Sequence, residues 1–589
     1  MLNETSVLQH IFFDNKFEGK KKIYSIRKNK EIITEGERIF FSRSALQLDL
    51  RSVAQMFPNH HYALNTSIKE VFVSIKRLAG DIKIDVFFVD GLGAESLEIQ
   101  QVLSSGENIV VKSAKIKPEN GYFYIKLTAL EDNVSVEGLA WSIERKLPRH
   151  KILLGITTFR REESLHENLT KIIMSHAIKK LNLDVMVIDN GNTVDFSIYH
   201  YPLLHSVQNN SGGTGGFMRI LIYSKDNDYT NTFFMDDDIE LEPEMLYRAI
   251  VFAIFCDKPT SVGLMMMKKS VPDQVWEQGA FINKNRIYSG SGFNFCLDAT
   301  EKKNLLQLNK SRSADFSGWW GCLVPTEEAP LLPYMFIKGD DVVCGLILKQ
   351  KGVPCITLPT ALVWHEDFDK RPYTWQHFYD IRNAFVIRHF YNKKTNRISM
   401  LASVAKLFFG VMLLGDYYRA SIIIDAFQAA LIPADDYFSD PGKLKEKHND
   451  IMKHFPVKDV SDSLSSINHP HSTFVLYKGA FLSLISFFGI FYPFKKCTES
   501  DGRPLSIPLN SYDVSNSYKH KTVLFYDPYT LKGYQCSKKF SEVSKLVFAF
   551  FKISLRYVFS GKNLDGQKFI VEKEYWESEC SVIVRNNNY

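Results

Sequence analysis

Between about Asn29 and Arg145 the chain runs in short stretches that alternate apolar and polar or stay apolar throughout. VFVSIKRL, DIKIDVFFV, ENIVVKSAKI and GYFYIKLTAL are separated by Gly, Asn, Asp and Pro. Short, regularly spaced strands with turn residues between them predict a β-sandwich. Nothing in this stretch clusters as a catalytic site would, so it reads as a structural or carbohydrate-contacting module. At Lys151 the texture changes. KILLGITTF is a continuous apolar run, a helical pattern covers about 162–181, and LDVMVIDNG is a second buried strand ending in Asp-Asn-Gly. Strands alternating with helices predict βαβ units and a parallel sheet, with ligands gathered at the carboxyl ends of the strands. This region extends to about Tyr391. Beyond Asn392 the pattern is helical and strongly apolar: ISMLASVAKLFFGVMLLG, YYRASIIIDAFQAALI, FVLYKGAFLSLISFFGIFYPFKK and KLVFAFFKISLRYVF.

The length of 589 residues fits these three textures as three domains, 1–148, 149–392 and 393–589. Apolar residues at 45% and charged residues at 23% exclude a largely disordered or fibrous chain. The net charge of +6 is too small to make nucleic acid a default partner, and its distribution is uneven. From Pro441 onward there are 21 basic and 14 acidic residues, leaving 51 and 52 in the first 440. The third apolar run holds 12 consecutive uncharged residues, Ala480 to Phe491, short of the ~20 that span a bilayer. The fourth interleaves Phe, Leu and Val with Lys545, Lys552 and Arg556, a composition suited to a membrane interface or to core helices of a third domain. Eight cysteines without a CxxC pair, and an N-terminus without a basic-then-apolar signal pattern, point to a reduced intracellular setting.

Five motifs carry chemistry. In FFMDDDIELEPE an apolar strand runs into Asp236, Asp237 and Asp238. Three carboxylates at a strand end repel one another unless a cation neutralises them, and alternation points Asp236 and Asp238 the same way. That spacing suits a hard divalent cation bridging a diphosphate; the bland alternative is a solvated acidic turn. NNSGGTGGFMR offers four glycines before a helix expected to begin near Phe217, a phosphate-type cradle or a flexible loop. Asp340 and Asp341 open an apolar helix, as caps or as a general base with a raised pKa. His365 ends the strand-like TLPTALVWH and is a candidate metal ligand. Trp319 and Trp320 are candidates for a sugar-stacking platform, or for core.

Taken in order, TTFRRE (157–162), VIDNGN (187–192), NNSGGTGG (209–216), MDDD (235–238), WW (319–320), GDD (339–341), WH (364–365) and YDIRN (379–383) resemble a metal-dependent, nucleotide-sugar glycosyltransferase with the GT-A fold. More narrowly, the chain resembles the bacterial galactofuranosyltransferases of glycosyltransferase family 2, the galactan-polymerising type. The resemblance implies an α/β class: a GT-A (Rossmann-like) catalytic domain preceded by a β-sandwich and followed by a mainly helical domain. It implies that Arg161, Asp189 and Asn210, with Gly212, Gly213 and Asp237, contact a UDP-sugar donor. Asp236, Asp238 and His365 would hold Mn²⁺ or Mg²⁺. Asp341 would be the general base, Asp340 would help bind the acceptor, and Trp319 and Trp320 would line its site. The acceptor would be an oligosaccharide or lipid-linked glycan, the enzyme an inverting homo-oligomer at the inner face of the plasma membrane. Competing readings are a UDP-galactopyranose or UDP-glucose transferase, a non-catalytic glycan-binding scaffold, and a metal-dependent phosphotransferase or nucleotidyltransferase.

Overall fold

The computed structural model describes residues 5–13, 21–24, 31–282, 290–368, 375–391, 397–431, 457–464, 473–491, 504–509, 511, 517–528, 530–559, 573, 576 and 583–585. The expected sandwich start near Asn29 and the expected boundary at 392/393 lie outside these residues.

The first strands form two antiparallel sheets, one of seven strands and one of four. In Ile82–Asp90, Ile82, Ile84, Val86 and Phe88 are all buried, the period of two that turns one face of a strand inward. Trp141 is fully buried between the sheets and packs on Phe57 and Phe123.

The central sheet has eleven strands. Its main members are β1 (Ile152–Thr158), β2 (Leu183–Asp189), β3 (Leu204–Val207), β4 (Asn231–Asp236), β5 (Glu240–Leu241), β6 (Ser261–Lys268), β7 (Val275–Glu277), β8 (Cys322–Pro325), β9 (Cys355–His365) and β10 (Val584–Arg585). The path runs β5-β9-β6-β8-β4-β1-β2-β3-β10, with β7 beside β6. Strands β3, β2, β1 and β4 are mutually parallel, so Thr158, Asp189 and Asp236 all reach one edge. β8 is antiparallel to both β4 and β6, and β9 is parallel to β6. Two reversals restore the direction, which brings His365 at the end of β9 to the same edge as Asp236.

Helix α1 (Glu162–Met174) follows β1 and ends earlier than the pattern predicts; a short 3₁₀ turn at Ile178–Lys180 takes up the remainder. Helix α2 (Gly212–Asp226) begins at Gly212, not near Phe217. Helix α3 (Pro243–Phe255) joins the sandwich to the sheet. Its Glu244 accepts bonds from the backbone N–H of His10 (2.8 Å) and pairs with His10 Nδ1 (2.8 Å). Arg248, fully buried, bonds Glu244 (2.8 Å) and donates to the carbonyls of His10, Ala54 and Thr360. The Thr360 carbonyl is free to accept because β9 slips register between Leu358 and Leu362, a bulge that contains Pro359, which has no N–H for the ladder.

Helices α4 (Asp340–Gln350) and α5 (His377–Tyr391) close the central unit, and α6 (Arg397–Leu414), α7 (Tyr417–Ala429), α8 (Thr473–Ile485) and α9 (Phe540–Phe559) follow. Among the described residues one helix, α6, is long and apolar enough to cross a membrane. Its Met400, Val404, Phe408 and Met412 are buried, and Phe408 stacks on Phe550 of α9 at 4.2 Å. The apolar run at 480–491 is not one helix: α8 stops at Ile485, and Phe487, Phe488 and Gly489 take positive φ. This last third also holds a four-stranded sheet that the apolar runs do not announce. It is tied to α7 by buried Asp416, which pairs with Arg419 and accepts the Tyr534 hydroxyl (2.9 Å).

Candidate functional site

The edge where β1, β4 and β9 end opens into a cleft of about 430 Å³. Asp236 closes β4, and Asp238 follows two residues later on the same side. His365 Nε2 lies 3.2 Å from Asp238 Oδ1 and 4.0 Å from Asp236 Oδ2. One ligand atom from each of the three falls within 4.8 Å of the other two. His365 Nδ1 donates to the Glu366 carbonyl at 2.8 Å, which fixes the ring with Nε2 turned toward the carboxylates. Burial alone would lower the His365 pKa, but the Asp238 bond and charge, then Asp236, raise it. Asp236 is pushed up to about 7, first by the surrounding protein and then by Asp238. Two carboxylates and one oriented imidazole on a mutually repelling base fit a hard divalent cation such as Mn²⁺ or Mg²⁺.

Asp237 turns away from this trio. It is buried and bonds Arg161 Nη1 (2.9 Å), which also reaches Asp238 Oδ2 (2.7 Å). Asn168 of α1 donates to the carbonyls of Asp237 and Ile239, pinning the acidic turn to the helix. Arg161 itself remains 48% exposed at the cleft wall.

Asp340 and Asp341 are the first residues of α4, with Gly339 (φ +88°) as its cap position. They line the same cleft, and Asp341 is near enough to Asp236 to feel its charge. Asp340 accepts the Thr214 hydroxyl (3.0 Å), and Asp341 accepts its neighbour Val342 N–H (2.7 Å). Asp341 is raised to about 8 by burial, then by Asp340 and Asp236. The turn before them is strained: Phe336 and Lys338 have φ of +65° and +69°. Asn383, the last residue of YDIRN, holds that turn by donating to the carbonyls of Ile337 (2.8 Å) and Lys338 (2.7 Å).

The glycine loop is a packing device as much as a cradle. A Cβ on Gly212 would lie 2.1 Å from the Phe336 carbonyl oxygen. That carbonyl accepts Thr214 N–H, and Asn210 Oδ1 accepts Gly212 N–H, so Asn210 secures the turn leading into α2 and does not line the cleft. Gly213 is the loop residue that lines the cleft. Asp189 is fully buried and accepts the N–H groups of Gly191, Thr193 and Val194; it shapes the loop after β2 and presents no free oxygen. Trp319 and Trp320 both line the cleft, but most of each ring is core: Trp319 packs on Phe217 and Phe234, and Trp320 donates to the Leu264 carbonyl (3.4 Å).

Of the residues singled out in the sequence, Arg161, Gly213, Asp236, Asp238, Trp319, Trp320, Asp340, Asp341 and His365 share the cleft, whereas Asp189, Asn210, Gly212 and Asp237 do not line it. The cleft also contains Glu277, Lys338, Trp276 and Phe368, which were not singled out in the sequence, and Asp380, which lies within YDIRN without having been given a role. Glu277, at the end of β7, is nearly buried; its Oε1 has no hydrogen-bond partner, and burial, then Asp341, pushes it up to about 8. It is therefore a neutral acid at pH 7, able to donate a hydrogen bond beside Asp341. Phe368 stacks on the His365 ring at 4.8 Å.

No family model matches the chain. It is 26% identical over 351 residues to galactofuranosyltransferase GlfT2 of Mycolicibacterium smegmatis, covering 51% of this chain and 53% of that one. It is 24% identical over 467 residues to galactofuranosyltransferase GlfT2 of Mycobacterium tuberculosis, covering 73% of each. The chain thus spans about half the length of the first curated relative. Among solved structures, GalNAc-T7 with UDP, GalNAc and Mn²⁺ overlaps 53% of this chain and 59% of its own, at 12% identity and a TM-score of 0.33. The mannosyltransferase PcManGT of Pyrobaculum calidifontis with GDP-Man and Mn²⁺ overlaps 52% of this chain and 82% of its own, at 12% identity and a TM-score of 0.29. Both scores are too low to carry a functional argument.

Proposed function

We propose that this chain is a metal-dependent, inverting glycosyltransferase of GT-A type that moves a sugar from a UDP-sugar to a hydroxyl of a growing cell-surface glycan, with galactofuranose as the first candidate donor. The observation that carries the proposal is the convergence of Asp236, Asp238 and His365 in a cleft that Asp341 also lines. The sequence similarity to two galactofuranosyltransferases supports it and suggests the donor. The division into three domains at 148/149 and 392/393 is part of the same reading.

Asp236, Asp238 and His365 would hold Mn²⁺ or Mg²⁺, which supplies positive charge to a diphosphate leaving group. Arg161, already at the cleft wall, adds a second cation for that diphosphate. Asp189, Asn210 and Gly212 then act by shaping the loops of the donor site, and Gly213 by backbone approach. Asp341 takes the proton of the acceptor hydroxyl; the acceptor oxygen bonds to the anomeric carbon as the bond from that carbon to UDP breaks, and the electron pair leaves with UDP. Asp340, Trp319 and Trp320 bound the acceptor side. Exposed aromatics on α9 and the turn after α8 support peripheral contact with an anionic membrane. Phe548, Phe551, Leu555 and Phe559 are exposed beside Lys545, Lys552 and Arg556, and Phe540 joins them to Phe487 and Phe491.

The test is product analysis with a panel of UDP-sugars and short galactan acceptors, with and without EDTA. Transfer should need the cation, and Asp341→Asn should retain UDP binding while transfer falls by about 10²–10⁴-fold. Turnover indifferent to EDTA would overturn the metal role, and loss of UDP binding in Asp341→Asn would overturn the base role.

A further inference from the structure

The cleft is lined by residues between Arg161 and Ile387, yet one of its supports comes from far along the chain. Val584 and Arg585 form β10, which pairs with β3 at the edge of the central sheet in the register Leu204 with Arg585 and His205 with Val584. Arg585 pairs with Asp184 of β2 (3.0 Å), and Lys573 pairs with Asp226 at the end of α2 (2.8 Å). Between these surface anchors Trp576 is buried, with 3% of its surface exposed. Its Nε1–H donates to the Leu332 carbonyl (2.9 Å), and its ring meets Tyr334 edge-on at 5.9 Å.

Leu332 and Tyr334 begin the segment that delivers Asp340 and Asp341. Tyr334 touches Phe336 (6.1 Å), and Phe336 touches Tyr379 of α5 (5.1 Å). Phe336 and Lys338 are non-glycine residues held at positive φ, a conformation that persists only when neighbours over-determine it. Asn383 and the Phe336–Thr214 backbone bond hold the far half of that turn. On its near half, the Leu332 carbonyl and the Tyr334 ring are held by Trp576.

We propose that Lys573, Trp576, Val584 and Arg585 together strap the approach of the Asp340–Asp341 turn, with Trp576 as the positioning residue. The proposal rests on the reading of Asp341 as the general base. Trp576 touches neither the cation trio nor the cleft, so it acts on the step that needs Asp341 in place and not on donor or cation binding.

The test compares Trp576→Ala, Trp576→Phe and the double variant Lys573→Ala/Arg585→Ala, which loosens the strap from its surface anchors without opening the core. In Trp576→Ala, kcat should fall by about 10- to 100-fold while KM for the UDP-sugar and Mn²⁺ affinity stay within about twofold. Trp576→Phe, which keeps a ring but not the N–H, should recover part of the loss, and the double variant should lose less than Trp576→Ala. Hydrogen exchange gives a readout independent of turnover: amides of 332–341 should exchange faster while those of β1 and β2 do not. Unchanged exchange at 332–341, or Mn²⁺ affinity falling in step with kcat, would overturn the strap. A wild-type protein that transfers no sugar would sink the functional reading and leave the exchange result to decide the strap.

Discussion

Glu277→Gln is the perturbation whose sign follows most directly from the geometry. The Glu277 carboxyl is 8% exposed with one oxygen unpartnered, and burial followed by Asp341 raises it from 4.5 to about 8. The unfolded chain releases this proton near 4.5, while the folded chain holds it until about 8. Through that window the native state binds more protons than the unfolded state, so stability falls as pH rises and levels off above about 8. At about 1.4 kcal/mol per pH unit the ceiling is about 5 kcal/mol. The cleft admits water on one side, and an effective dielectric near ~20 brings the expected effect to the order of 2 kcal/mol. Glutamine keeps the shape and the neutral donor but has no proton to release. Thermal unfolding of both proteins at about pH 5.5 and about pH 8.5 in EDTA measures the difference. The variant should gain on the wild type between the two pH values by ~4–8 °C for a unit of this size. An equal difference at both pH values, or a gain at the acid end, would refute the assignment of a neutral buried acid.

Asp238→Ala removes one carboxylate of the trio and should weaken Mn²⁺ binding, read by electron paramagnetic resonance titration, by at least about tenfold with far-UV circular dichroism unchanged. Arg248→Ala strands Glu244, which is 5% exposed, between the sandwich and α3; stability should fall by about 3–5 kcal/mol, seen as a lowered melting temperature. Sedimentation with anionic vesicles at low salt should carry the protein down. Phe548→Ser/Phe551→Ser should leave it in the supernatant, as should high salt.

The sheet's chemistry was legible where a motif sits at a strand end. An apolar run that stops at Asp236, and another that stops at His365, put both residues at carboxyl edges; that the two edges coincide depends on the double reversal through β8, which no local pattern contains. The glycine loop was legible as a close approach but not as to what approaches, because the partner, the Phe336 carbonyl, lies more than a hundred residues away. Asp189 reads as a ligand in VIDNGN, yet its oxygens are taken by three amides of its own loop, a local competition that residue identity does not disclose. Glu277 has no signal at all: VWE is a three-residue strand at the sheet's margin, and only tertiary burial makes its carboxyl unusual.

The acidic residues of the cleft also explain why the fold needs so many distant supports. Asp236, Asp238, Asp340, Asp341 and Asp380 line one small volume beside the neutral Glu277, with Arg161 and Lys338 as the basic residues among its lining. Like charges drawn together this way push their own scaffold apart, and each is raised or held by a specific neighbour: Asn168 beneath the acidic turn, Thr214 on Asp340, Asn383 under the strained turn. A cation bound by the native state and not by the unfolded chain offsets that repulsion, by ~2.7 kcal/mol at a hundredfold excess over its dissociation constant. Because Asp341 feels Asp236 across the cleft, charge brought to Asp236 lowers the pKa of Asp341 and frees it to accept a proton near neutrality. On the proposed reading, cation binding at Asp236 and the readiness of Asp341 to take a proton would be one electrostatic event.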